Sequence, residues 1–162
     1  MFFEIDYPAT ARLKAKGIEA MGKPDNVHLM AEDLGEKQLL DVLKQNSIWG
    51  LDEKTVLIAE GLVMYLPPGA VQEMVEQCAF VTGPGSRIAF SYIPMGEDGR
   101  PDVGRFTGLM LWLQKIAGEP WNCSIYPEVL PAFLKAAGWT PCIELEEAGR
   151  KHGVEYFAVG IK

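Results

Sequence analysis

Thr55-Val56-Leu57-Ile58-Ala59 is a run of small and apolar residues with no polar alternation. A strand with one wet face alternates, so this run predicts a parallel strand covered on both faces. Parallel neighbours are joined by crossovers of a dozen or more residues, usually helical. The chain supplies both parts. Residues 2–6 form a short aromatic strand signal, and Tyr7-Pro8 can leave it and open a helix at its first turn. Over residues 9–21, Ala9, Leu13, Ile18 and Met21 can share one helical face, before Gly22-Lys23-Pro24 stops the run. A second strand is predicted at 27–31 and a second helix at 36–45, with Leu39, Leu40 and Leu43 on its buried side.

Beyond the third strand, Pro67-Pro68 opens a helix predicted at 69–81. Val71, Met74, Val75 and Cys78 mark its buried stripe, and Gly83-Pro84-Gly85 ends it. A fourth strand is predicted at 87–92. Residues 93–103, rich in glycine, proline and charge, read as a mobile substrate lid. Helices follow at 105–117 and 127–137, then strands at 142–146 and 156–161, parted by a polar turn at 149–153 and suited to a hairpin. The order βαβαβαβ, helices, ββ predicts an α/β domain with a mostly parallel sheet and an antiparallel end. The 162 residues suffice for a single domain. Such sheets bind ligands beyond the carboxyl ends of their strands.

Composition narrows the partners. Fifteen basic against 22 acidic residues leave a net charge of −7, unsuited to nucleic-acid phosphates or anionic lipid. Three cysteines without a C-x-x-C pair indicate neither a disulfide framework nor a zinc site, which fits a reducing cytoplasm. No apolar run approaches the ~18 residues of a membrane span. Acids stand near Met1 where a signal peptide carries lysines, so a soluble, unexported protein is expected. His28 and His152 have no ligand-spaced partners and read as structural or solvated; Cys78 reads as inert packing. Neither G-x-S-x-G nor a P-loop is present. Trp112 and Trp121 flank Met110, Leu111 and Leu113, a cluster best placed in the core.

Acids close three of the parallel strands: Glu4 and Asp6 the first, Glu32 and Asp33 the second, Glu60 the third. A carboxylate there can accept from both hydroxyls of a ribose, or pair with an ammonium, without a metal. For any one of them a helix N-cap or a solvated loop acid is the commoner role, and for Asp33, before Leu34-Gly35, capping and ligand binding stand about even. Glu60 follows an apolar strand and is expected to be partly buried, in need of a partner.

Phe3-Glu4-Ile5-Asp6-Tyr7-Pro8-Ala9-Thr10, Glu32-Asp33-Leu34 and Leu57-Ile58-Ala59-Glu60-Gly61-Leu62-Val63-Met64-Tyr65-Leu66 together resemble the leucine carboxyl methyltransferase family. That family includes bacterial S-adenosylmethionine-dependent O-methyltransferases and phosphatase carboxyl methyltransferases. A weaker likeness runs through Ser91-Tyr92 and Gly104-Arg105-Phe106 to the C-terminal strands. The resemblance implies a class I methyltransferase-like (Rossmann-like) fold, S-adenosylmethionine as cofactor, and methyl transfer to a carboxylate or hydroxyl of a small molecule or a protein C-terminus. It places Asp6 at the cofactor ribose with Glu4 beside it, Asp33 and Leu34 at the adenine, and Glu60 at the methionine moiety. Tyr65 would lie beside the acceptor and the transferred methyl.

The family's glycine-loop strand and its basic residues lie upstream of the segment matched here, so Phe2 begins what resembles the family's second strand. The first, central strand is therefore expected to be missing. Either the two edges beside it close on each other, in the order 3-2-4-5-7-6 of the family's strands, or a homodimer or a complementing N-terminal segment covers them. The chain is then part of a longer or split protein, a truncation, or a remnant. A methyltransferase needing completion and a non-catalytic α/β association module are the two functional expectations.

Overall fold

The structure, a computed structural model, describes residues 1–22, 24–142 and 155–162, which divide into two units, Met1–Asn46 and Ser47–Lys162. In unit 1, strand β1 (Phe2–Asp6) lies parallel to β2 (Val27–Ala31), in a register from Phe2 opposite Val27 to Asp6 opposite Ala31. Helix α1 (Pro8–Ala20) makes the crossover. Pro8 opens it where a missing N–H costs nothing, and Gly22, at φ +92°, follows its end. The short helix α2 (Leu39–Lys44) buries Leu39, Val42 and Leu43. His28 stacks on its ladder partner Phe3 with ring centroids 5.2 Å apart, in keeping with a structural histidine.

The expected buried face of α1 is corrected. Ala11 is the buried residue, and Pro8, Ala15 and Ile18 share its side with partial burial, while Leu13 and Met21 are exposed. Small side chains at three- and four-residue spacing let a helix approach a strand pair closely, and a count of large apolar residues misses that face.

Unit 2 contains β3 (Val56–Ala59), a 3-10 turn at Val63–Tyr65, α3 (Pro68–Phe80), β4 (Arg87–Tyr92), α4 (Thr107–Ala117), α5 (Leu130–Ala136), β5 (Thr140–Pro141) and β6 (Tyr156–Ile161). The strand order is β3-β4-β6-β5; β3 and β4 are parallel, and β6 runs antiparallel to both β4 and β5. The stripe Val71, Met74, Val75 and Cys78 of α3 is buried as expected. Trp139, 1% exposed, donates from Nε1 to the Val75 carbonyl at 3.0 Å, and Lys162 Nζ donates to the carbonyls of Ala79 and Thr82 at the end of α3. Burial of Cys78 pushes its thiol up to about 12, which keeps it protonated and inert.

Strand β3 is parallel, but it is not covered on both faces. Val56 is 68% and Ile58 75% exposed, so the face they share is uncovered, and among the described residues β3 pairs with β4 alone. Among the described residues β1 likewise pairs with β2 alone. The cluster around Trp112 is not core either: α4 has no buried residue, and Trp112 is 58% exposed. Ile93 is fully buried, and residues 94–102 close on themselves through Asp102 N to Pro94 O (2.8 Å) and Gly96 N to Arg100 O (2.8 Å). The described strand before β6 is β5, Thr140–Pro141, ahead of the expected 142–146, and Cys142 N donates to Val159 O at 2.8 Å. Residues 143–146, the turn at 149–153, His152 and Lys23 lie outside the described residues.

Trp139 fills the space between α3 and the β4–β6 pair; Gly160 packs so closely that a Cβ there would meet Trp139 Cβ at 2.8 Å and Ile88 Cγ2 at 3.1 Å. Trp139→Ala is expected to cost about 3–5 kcal/mol of stability, read as a lowered urea midpoint. A midpoint within error of the parent would show that unit 2 does not depend on this side chain.

Candidate functional site

In unit 1, Glu4 and Asp6 stand two residues apart on β1 and therefore point to one side of the ladder. Lys14, on the second turn of α1, reaches back to both, with Nζ 2.7 Å from Asp6 Oδ2 and also bonded to Glu4 Oε1. The other Asp6 oxygen accepts the Tyr7 N–H at 2.8 Å, which fixes the exit from the strand. The bonds to Asp6 and then Glu4 raise the Lys14 pKa above its usual 10.5, against a smaller opposing effect of burial.

The Glu32 N–H donates to the Asp6 carbonyl at 3.0 Å, so the acidic ends of β1 and β2 lie side by side. Glu32 pairs with Lys37 at 2.6 Å. Asp33 Oδ1 accepts the Gly35 N–H at 2.8 Å, and the Asp33 backbone carbonyl accepts the Lys37 backbone N–H at 2.8 Å. Asp33 thus closes a local turn. It is not the N-cap of α2, a place taken by Gln38 five residues on. Its Oδ2 has no partner among the described residues, and Leu34 beside it is half-buried.

In unit 2, Glu60 follows β3 and is exposed, with no hydrogen bond or ion pair among the described residues. The expected partial burial is overturned. The backbone turns at Gly61, φ +64°, a left-handed conformation natural to glycine. The Gly61 N–H donates at 2.8 Å to Ser91 Oγ, a fully buried hydroxyl on β4. Val63 and Met64 are buried beneath the 3-10 turn that follows. The Met64 carbonyl accepts from Asn122 N (2.7 Å) and Cys123 N (3.1 Å), and Asn122 Nδ2 donates to the Tyr65 carbonyl at 2.8 Å. The motif A-E-G-x-x-M-Y-L is therefore divided: Gly61, Val63 and Met64 build the turn, and Glu60 and Tyr65 are presented on it.

Ser91 and Asn122 complete this support. Ser91 announces itself as a hydroxyl within the apolar run Ile88–Tyr92, whereas Asn122 lies 57 residues from Tyr65 with no local signal. The described residues contain no group of three acidic, histidine or cysteine side chains able to hold a metal. No described helix is long and apolar enough to cross a membrane.

The parallel ladders, the strand-end acids and the glycine turn after Glu60 give the frame for comparison with known proteins. Residues 1–79 match the leucine carboxyl methyltransferase family. A protein of Mycolicibacterium smegmatis assigned as an S-adenosyl-L-methionine-dependent methyltransferase is 32% identical over 96 residues, 59% of this chain and 32% of that protein. One from Mycobacterium sp. strain KMS is 34% identical over 100 residues, 59% of this chain and 31% of the relative. The chain spans about a third of the length of these relatives. An O-methyltransferase family protein from Burkholderia thailandensis superposes over 99% of this chain and 43% of its own, with TM-score 0.64 and 15% identity. PigF, solved with SAH, gives 0.63 and 13%, over 99% of this chain and 43% of its own. The fold is α/β and consistent with that of the class I methyltransferases, with parallel β1–β2 and β3–β4 ladders and an antiparallel C-terminal end.

Ser91→Ala removes the acceptor of the Gly61 N–H and is expected to cost about 1–3 kcal/mol, measured by denaturant unfolding. An unchanged midpoint would mean that the turn after Glu60 holds without it. Lys14→Met is expected to destabilise by less than ~1 kcal/mol, since Lys14 is largely in water. Because the Lys14 pKa is raised on folding, its contribution is complete below pH 10.5 and is lost as pH rises through the higher folded-state value. The difference in Tm between parent and Lys14→Met should therefore shrink above that pH. A constant difference would sever the effect from the ion pairs.

Proposed function

We propose that this chain carries part of an S-adenosylmethionine-dependent O-methyltransferase, acting on a carboxylate or hydroxyl of a small molecule or a protein C-terminus. The observation that carries this reading is Glu60, a carboxylate exposed and unpaired among the described residues, held at the end of β3 by the Gly61–Ser91 bond, within the family-matched residues. The residues present fit the cofactor by their chemistry. The Asp6 carboxylate suits the ribose hydroxyls, with Glu4 beside it. The free oxygen of Asp33 suits the adenine amine, with Leu34 against the ring. Glu60 suits an ammonium.

When bound, S-adenosylmethionine supplies a sulfonium methyl open to in-line displacement. The chain's own task is to bind and align, an effect worth several orders of magnitude in rate. Tyr65 is the residue we place beside the acceptor. A carboxylate acceptor is already a nucleophile at neutral pH and needs no base; a hydroxyl acceptor does. Lys14 meets Asp6 and Glu4 at a partly exposed site, so its pairing there is weak enough to yield to, or be shared with, a ribose. The relatives' greater length supports completion of the site by a further segment of a longer protein; a second copy in a homodimer is the other way to complete it.

The alternative, a non-catalytic association module, draws support from Lys14 itself, which satisfies Glu4 and Asp6 without any ligand, and from the apolar edge of β3. Calorimetric titration with S-adenosylmethionine separates the two. In the protein completed by its remaining segment, binding is expected, weakened by about 1.5–3 kcal/mol in Asp6→Asn and again in Glu60→Gln. Affinity unchanged in both variants would remove these carboxylates from the site, and absence of binding by the parent would favour the association module.

A further inference from the structure

Helix α4 leaves an apolar stripe exposed among the described residues of unit 2. Phe106 at its N-cap, Leu109, Leu113 and Ile116 are 61, 54, 45 and 64% exposed. Their spacing is three, four and three residues, the a-d-a-d seam by which one helix packs against another. Trp112 borders the seam on one side and Met110 on the other. Stripes of this kind on a solvated helix mark an interaction surface.

We infer that α4 is a homodimer interface, in which two copies of the helix pack antiparallel. Antiparallel seams set a positions against d positions. Pairing about the middle of α4 places Phe106 of one copy by Ile116 of the other, and Leu109 by Leu113, so the stripe is its own complement, as two-fold association demands. The charges agree. Arg105 lies just before the helix, with its guanidinium over the Phe106 ring at 5.5 Å, and Glu119 lies just past the Gly118 turn that ends it. Neither has an ion-pair partner among the described residues. Antiparallel packing brings Arg105 of each copy toward Glu119 of the other, twice over, and opposes the two helix dipoles; parallel packing would set like charges together. Eleven residues at about 1.5 Å each make a seam of roughly 16 Å, below the size of a standard interface, so the dimer is expected to depend on concentration.

The inference does not rest on the methyl-transfer reading, and its test needs no ligand. Sedimentation velocity of the full chain across a concentration series should show a monomer–dimer equilibrium. Leu109→Glu with Leu113→Glu should leave a monomer with the parent's far-UV circular dichroism, since both residues are already exposed. Glu119→Arg should weaken dimerisation on the order of tenfold or more, by opposing two arginines at each end, and adding Arg105→Glu should restore it. A dimer that survives the double glutamate variant would place the interface elsewhere, at a strand edge for instance, and overturn the inference. A parent chain monomeric throughout would also overturn it, leaving an apolar ligand or another stretch of polypeptide as the cover of α4. Failure of the charge exchange to rescue would refute the antiparallel arrangement.

Discussion

Unit 2 depends on β4. Its backbone is paired on both edges, to β3 in parallel and to β6 in antiparallel register, and Ile88, Phe90 and Tyr92 are each 1% exposed. A strand so enclosed must satisfy every polar group it carries. Ser91 does so by accepting the Gly61 N–H, which turns a requirement of burial into a positional constraint on the segment after β3. Ser86, buried just before β4, acts similarly at the other end of the ladder, accepting the Thr55 N–H at 2.9 Å and donating to the Gly83 carbonyl at 2.6 Å. Both ends of β3 are thereby tied to buried hydroxyls flanking the same neighbour. Glu60 and Tyr65 are presented to solvent because of what lies beneath them.

Electrostatics sets the character of unit 1. Parallel pairing of β1 and β2 brings acidic strand ends together, and like charges so placed repel unless cations or N–H groups stand near. Lys14 and Lys37 each meet one set of acids, and the Tyr7 and Gly35 amides take further carboxylate oxygens. Both lysines remain substantially in water, so these pairs balance charge while adding little to stability. A surface of this kind can exchange a lysine for a ligand hydroxyl at small cost, which a buried ion pair could not do.

The exposed apolar residues share one physical origin. Val56 and Ile58 on β3, and Phe106 through Ile116 on α4, have the sequence of buried elements and the exposure of surface ones. Periodicity records which face of an element was shaped to be covered, and not which chain covers it. The same rule explains α1, where the approach of helix to strand is made by Ala11 and Ala15, residues whose small size leaves no mark in a search for large apolar side chains.

Local sequence determined the elements and the turn chemistry. β1, β2, β4 and the buried stripe of α3 were legible because short apolar runs, prolines at helix starts and glycines at positive φ act over a few residues. The carboxylates at the strand ends were legible too, through motifs carried within residues 1–79. Tertiary structure alone decided that Glu60 is exposed, that Lys14 spans Glu4 and Asp6, and that Asn122 holds the turn before Leu66. Each of these depends on which distant segment comes within about 3 Å, and hydrogen bonds and ion pairs of that range carry no periodicity along the chain.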